Sequence, residues 1–455
     1  MLKSRIDSYA TSTAGALAAA LARREIGAVE LFEEAVRTIE ERDGPINAVV
    51  VRDFDRARDA AKAADAALAR GEKRPLLGVP MTVKEAHHVA GLPTTWGLPN
   101  YADWKPSWDA TGVARLKAAG AVILGKTNVP PHLAEWQSDN PVYGRTNNPH
   151  DLTRTPGGSS GGSAAALAAG MVPLEFGSDI GGSIRVPAHF CGVYGHKPTW
   201  NLIPDTGHAP PGFDYPGPPT ELGVIGPLAR SAADLELALG VLAGPDGLNA
   251  RAYSVKLPDP RGESLKGLRV LVMDEHPLCV TDTEVAAAVG RVADALEQGG
   301  AKLTRKSDAL PDLAGQQGVY MQLLGAIMSR GDPSAKPIDA HAWMNAQSAQ
   351  FGIQRRWAAV FEDIDVIIAP PYGTPAPKHF PLGGFAERKL TINGQETPYA
   401  AQLAWPGMVT LPGLPATCIP AGKTAAGLPV GVQVIGPYLE DLTTITVAKL
   451  LEGKV

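Results

Sequence analysis

The stretch GGSSGGSAAALAAGMVPLEFGSDIGGSIR, Gly157–Arg185, decides how this chain is read. Two glycine-serine clusters flank a run of small and apolar residues. A flexible linker, a phosphate cradle and a catalytic turn all use such clusters, for different physical reasons. Linkers lack apolar flanks, but here LAAGMVPLEF separates the clusters and IRVPAHFCGVYG follows them, so the region sits inside a packed unit. The phosphate reading is best tested at GAVILGKT, Gly120–Thr127, which matches G-x-x-x-x-G-K-[ST]. Its middle residues Ala, Val, Ile and Leu form a buried strand instead of a free loop, and Val129-Pro130-Pro131 follows where a helix should open. A second candidate, Gly157–Gly161, satisfies G-x-S-x-G formally. A nucleophile elbow should leave a strand directly, and the preceding NNPHDLTRTP is a polar loop. His189, His196 and His208 lie downstream as possible bases for such a Ser-His-Asp hydrolase.

Composition narrows the field. With 455 residues, 44% hydrophobic and 20% charged, the chain can bury a large core. The net charge of −5 and scattered Lys and Arg give no basic footprint for nucleic acid. Cys191, Cys279 and Cys418 are odd in number and far apart, which points to reduced thiols in a cytoplasmic protein. His87 and His88 are adjacent and read as loop residues, not metal ligands. No run is long and apolar enough to span a bilayer, and no signal segment opens the sequence.

Working outward, GAVELFEEAVRTIEERDG places Leu31, Phe32, Ala35, Val36 and Ile39 on one helical face, ended by Asp43-Gly44-Pro45. FDRARDAAKAADAALARGE is a second helix, preceded by the short helix AGALAAALARREIG with Ser12 or Thr13 as cap. LLGVPMTVKEA reads as a strand, DATGVARLKAAG as a helix and AVILG as a strand. The segment 201–221 is a long Pro/Gly-rich loop of the kind that is usually functional. SAADLELALGVLAG resumes as helix, and strands at LKGLRVLVMDE, IDVIIAPP and GLPVGVQVIG follow, with helices DTEVAAAVGRVADALEQGG and DLTTITVAKLLEG. This alternation predicts an α/β fold with a large mixed β-sheet covered by helices on both faces. One continuous unit, 1–455, is expected: N-terminal helices to residue 70, a core over 71–240 and a C-terminal α/β part over 241–455.

GGSSGGSAAALAAGMVPLEFGSDIGGSIRVPAHFCGVYGHKPT closely resembles the signature of the amidase signature family. The resemblance extends through LLGVPMTVKE, AGAVILGKTNVP, GVIGPLARSAADLELAL, DVIIAPPYGTPAP and LPATCIPAGKTAAGLPVGVQVIG, most of the chain. It implies a mixed sheet wrapped by helices, with Ser183 as nucleophile, Ser159 as a bridging serine after a cis Gly158–Ser159 bond, and Lys84 as base. The amides of Ile180, Gly181, Gly182 and Ser183 resemble the family's oxyanion hole. The chemistry is consistent with the residue types. A serine hydroxyl needs a base, and lysine serves as one only when desolvation strips its proton. Taken without the rest of the signature, Lys84 reads sooner as a strand-end lysine whose ammonium reaches water. Asp179 and Arg185 read as an ion pair holding the turn, with Ser160 orienting Lys84 by hydrogen bond.

The implied reaction is cleavage of a carboxylic amide through an acyl-enzyme, with water as second substrate and neither metal nor cofactor. GKTNVPPHLAEWQSDNPVYGRTNNP resembles the fatty acid amide hydrolase and aryl acylamidase branch more than amidotransferase subunits. Leu133 and Trp136 there, Phe213 and Tyr215 of the 201–221 loop, and Tyr320, Met321 and Leu324 further on are candidate pocket residues for a hydrophobic or aryl amide, ester or carbamate. The alternative is a glutamine- or asparagine-type amidotransferase subunit delivering ammonia to a partner. Monomer and homodimer both remain open.

Overall fold

The computed structural model describes residues 9–214, 217–330, 332 and 334–455. Its centre is an 11-stranded mixed sheet. In chain order the strands are β1 (Val49–Arg52), β2 (Pro80–Lys84), β3 (Val122–Thr127), β4 (Leu174–Asp179), β5 (Tyr194–Lys197), β6 (Val224–Ala229), β7 (Arg269–Val272), β8 (Lys302–Thr304), β9 (Val366–Ala369), β10 (Ala416–Lys423) and β11 (Pro429–Ile435). They lie side by side as β1-β3-β2-β4-β6-β5-β10-β11-β9-β7-β8. The β3-β2-β4 block is parallel and places the carboxyl ends of β2 and β4 together, with Thr82 opposite Glu175 and Val83 opposite Phe176. Ligands in open α/β sheets gather at such carboxyl ends.

The helices that the apolar spacing predicts are present, among others. In α1 (Ala14–Ala22) the Thr13 hydroxyl caps the first turn, accepting from Ala16 N–H at 3.1 Å. The expected stripe of α2 (Ala28–Arg42) is buried throughout. α3 (Phe54–Ala69) covers β3, α4 (Thr111–Ala118) packs against the later helix Ala232–Leu242, and α5 (Gly161–Ala168) packs behind β2, β3 and β4. α6 (Arg185–Cys191), α7 (Ala232–Leu242), α8 (Thr283–Gln298) and α9 (Leu313–Met328) follow. The longest helix, α10 (Ala340–Asp363), has no counterpart among the expectations, although Ala346, Ile353, Trp357 and Val360 form a helical stripe that is buried. α11 (Ala404–Thr410) and α12 (Asp441–Leu451) complete the set.

Two apolar masses hold the chain together. The larger joins α1–α5, α7, α8 and α12 to the sheet, with Met81, Val83 and Phe176 at its middle. The second gathers around Trp136, Tyr320, Trp357, Tyr372, Tyr399 and Trp405, on the other side of the β4–α6 turn. Within GAVILGKT, Val122–Thr127 form strand β3, buried at every residue, as the apolar composition requires. No helix among the described residues is long and apolar enough to cross a membrane.

Candidate active site

Strand β2 is buried at every residue, and Lys84, its last, is 0% exposed. The ammonium does not reach water. Its Nζ donates to Ser159 Oγ at 2.6 Å and to Ser178 Oγ at 2.8 Å. Burial is the largest influence on this amine and brings it down to about 7, against the nearby charges of Asp179 and Glu175, which favour the proton. Neutral lysine is therefore accessible near neutral pH.

Ser159 sits at the mouth of α5, and the Gly158–Ser159 peptide is cis. Position 158 has no room for a side chain, since a Cβ there would meet Glu135 O at 2.4 Å and Gln137 N at 2.8 Å. Ser160 joins the clusters: its N–H donates to Ser183 O at 3.2 Å. Its hydroxyl donates to Ser178 O at 3.2 Å and accepts from Ser178 N–H at 3.3 Å. The contact to Lys84 expected of Ser160 belongs instead to Ser178, one residue before Asp179. That serine sits in a run, FGSD, that reads as plain buried strand, so only the neighbouring β2 register could have singled it out.

Ser183, 5% exposed, rides on a turn between β4 and α6. Gly182 takes φ +95°, and a Cβ there would press on Val186 Cγ2 at 2.7 Å, so glycine is required twice over. Asp179 organises this turn. It accepts from Gly182 N–H at 2.9 Å and Ile184 N–H at 3.0 Å, and from Arg185 Nε and Nη2 at 3.0 and 2.9 Å. Burial alone would raise its carboxyl, but the guanidinium and these N–H groups outweigh that and hold it at about 2. Arg185 is itself fully buried and reaches Gln433 Oε1 and Thr410 Oγ1, both at 3.0 Å. The Gly182 N–H, one of the four amides expected to serve as oxyanion donors, is committed to Asp179, which leaves the amides of Ile180, Gly181 and Ser183 as candidates.

Two of the expected pocket residues hold the backbone of this turn. Trp136 Nε1 donates to Gly181 O at 2.8 Å, and Tyr320 OH donates to Ile180 O at 2.9 Å. Tyr320 thereby fixes the peptide whose N–H is that of Gly181, while the peptide held by Trp136 carries the Gly182 N–H that donates to Asp179. Leu133 is half-buried, at φ +59°. Phe213 is 41% exposed on its loop, and Tyr215 lies outside the described residues. Met321 is 41% exposed on α9 and does not form the apolar wall expected of it, whereas Leu324 is buried in the second core.

The histidines serve elsewhere. His189 lies between Gly431 and Thr374 O, accepting from Gly431 N–H at 2.7 Å. His196 contacts Asp441 Oδ1 at 3.1 Å and Thr417 Oγ1 at 2.9 Å. That Thr-His-Asp line has triad connectivity but is 0% exposed at all three residues and ties α12 to β5 and β10. His208 packs against His87 and Trp96, ring centroids 5.0 and 5.5 Å apart. None hydrogen-bonds to Ser159 or Ser183.

Comparison with known proteins shows the family and corrects the branch. Residues 30–323 and 321–445 match the family described as Amidase. The chain is 34% identical to a glutamyl-tRNA(Gln) amidotransferase subunit of Roseiflexus sp. (strain RS-1), over 94% of this chain and 93% of that protein. It is 35% identical to the same subunit of Anaeromyxobacter dehalogenans (strain 2CP-C), over 96% and 95%. An inhibitor-bound structure from a vestigial protein complex tied to the origins of an s-triazine catabolic enzyme superposes with TM-score 0.84 at 31% identity, covering 97% of this chain and 98% of that one. A bacterial aryl acylamidase of the amidase signature family gives TM-score 0.82 at 25% identity, covering 98% of this chain. The expected leaning toward fatty acid amide and aryl acylamide hydrolases, and with it a free hydrolase of hydrophobic amides, is thus overturned. The reason is visible at Trp136 and Tyr320: both are turn supports buried in the core, and such residues do not report on the substrate.

Proposed function

Since the chain belongs to the amidase family, we propose that it is an amidotransferase-type subunit that cleaves the C–N bond of a primary carboxamide, such as that of glutamine or asparagine, and releases ammonia for a partner. The observation that carries the chemistry is the fully buried Lys84, 2.6 Å from Ser159, with Ser160 tying Ser159 to the Ser183 turn. The relatives, amidotransferase subunits matched along nearly their whole length, support the partnered reading.

In this mechanism neutral Lys84 accepts a proton passed through Ser159 as Ser183 Oγ attacks the carbonyl carbon. The amides of Ile180, Gly181 and Ser183 receive the charge that develops on oxygen; each such donor is worth about 3–4 kcal/mol in the transition state. The C–N bond breaks as the proton returns through Ser159 to the departing nitrogen, leaving an acyl ester on Ser183. Water, deprotonated along the same route, releases the acid. Ser178 holds Lys84 in place throughout, and the Asp179–Arg185 pair fixes the turn.

The test is ammonia release from glutamine and asparagine by the purified chain, alone and with the partner subunits and glutamyl-tRNA(Gln) of a bacterial amidotransferase. The expected result is slow release that the partners accelerate and that Ser183→Ala abolishes. Efficient turnover of simple aryl amides by the chain alone, with no ammonia from either amino acid, would refute the partnered reading and leave a free amidase.

A further inference from the structure

Glu175 lies on β4 in the rung opposite Thr82, so it shares a sheet face with Lys84, two positions further along β2. It is 0% exposed. Its Oε2 accepts from Phe176 N–H at 3.0 Å, while Oε1 has no hydrogen-bond partner among the described residues. Hydroxyls of Thr82, Thr127 and Ser163 surround it, from β2, β3 and α5, and Leu228 of β6 is its cross-strand neighbour. A buried carboxyl held by a backbone N–H among neighbouring hydroxyls, with no cation paired to it, is pushed toward its neutral form by burial. Of the side chains around it, Lys84 is the one that titrates. Lys84 in turn is approached by Asp179 from the end of β4, by His87 from the loop after β2 and by His208 from the 201–221 loop. The imidazoles are desolvated and stay neutral, His208 down at about 3. Asp179 is already neutralised by Arg185. Glu175 is therefore the acidic neighbour of Lys84 with no basic partner of its own.

We infer that Glu175 is a positioning residue for the base: its buried carboxyl holds the proton on Lys84 and so sets the pH at which the amine becomes free to accept one from Ser159. This rests on the reading of Lys84, Ser159 and Ser183 as a relay and extends it by a residue. Desolvation brings the Glu175 carboxyl up to about 7, into the range where Lys84 also titrates, so the charge of one group answers to the other. Removing an opposite charge lowers the proton affinity of an amine. With glutamine at 175 the shape is kept, and Lys84 sheds its proton at lower pH.

The experiment measures covalent labelling of Ser183 by phenylmethanesulfonyl fluoride, followed by intact mass against pH, so that no natural substrate or partner is needed. Wild type and Glu175→Gln are compared, with Glu175→Asp as the conservative variant and Ser183→Ala as the blank. The labelling midpoint of Glu175→Gln is expected about one unit below wild type, a roughly tenfold faster reaction on the acid limb, with Glu175→Asp returned toward wild type. A Glu175→Gln profile that superposes on wild type overturns the inference while leaving the relay standing. A wild type that is not labelled at Ser183 at any pH overturns the relay itself, and this inference with it. If Glu175→Gln does not fold, Glu175→Met takes its place as the uncharged variant: its labelling midpoint is expected below wild type, and an unmoved midpoint refutes the inference.

Discussion

Replacing Arg185 with methionine isolates what the buried ion pair does for the turn. Asp179 and Arg185 are both 0% exposed in their side chains, with Nη2 to Oδ1 at 2.9 Å. Methionine roughly fills the volume of the arginine stem but strands the Asp179 carboxylate in the interior. Breaking such a pair from one side costs about 3–5 kcal/mol, because the remaining charge has lost its partner. An independent figure comes from proton linkage. The folded carboxyl is held at about 2 against 3.8 for the free group, which corresponds to about 2.5 kcal/mol. The sign follows from the depressed value: this stability is fully present above about pH 4 and is lost as pH falls toward 2. Urea unfolding followed by tryptophan fluorescence at pH 7 should show Arg185→Met destabilised by at least about 3 kcal/mol. Asp179→Asn should be destabilised too, and the double variant by clearly less than the sum of the two, since each removes the reason the other is harmful. Strict additivity, or a loss below about 1 kcal/mol in Arg185→Met, would show that the pair is not what secures the turn.

Lys84→Met should lower ammonia release by at least about a thousandfold while leaving substrate binding intact, and the wild-type rate should rise with pH through about 7 as the amine loses its proton. Gly182→Ala, forced to hold φ +95° with a Cβ against Val186, should cut kcat far more than it raises KM, read from initial rates. Trp136→Phe keeps the packing but frees the Gly181 carbonyl, and should cost about tenfold in kcat, measured alongside an unchanged thermal midpoint. Asp441→Asn weakens the buried His196–Asp441 contact and should lower the thermal midpoint without shifting the pH profile; a moved profile would return a histidine to the mechanism.

The elements that packing dictates are legible in the sequence. The α2 stripe Leu31, Phe32, Ala35, Val36 and Ile39 is buried as spaced, and the four apolar residues at the centre of GAVILGKT make a strand and not a phosphate loop. Lys84 shows where local reading stops. Nothing within LLGVPMTVKEA distinguishes an amine that reaches water from one sealed between two parallel strands, because its surroundings come from residues 159 and 178. Ser178 escapes notice for the same reason: its partner lies 94 positions away. The pocket is misjudged because an apolar residue near a site in sequence can face the core, as Trp136 and Tyr320 do, or solvent, as Met321 does. The α10 helix is overlooked although its stripe is present, since Gly352 and the polar residues around it dilute the pattern.

The two halves of the relay are rooted in different apolar masses. Lys84 stands on a strand belonging to the larger one, while the carbonyls beneath Ser183 are gripped by Trp136 and Tyr320, which belong to the smaller. The two masses are themselves joined, since α6 sends Ala188 into one and Val186 and Phe190 into the other, so the packing on both sides of that helix bears on how the relay is held.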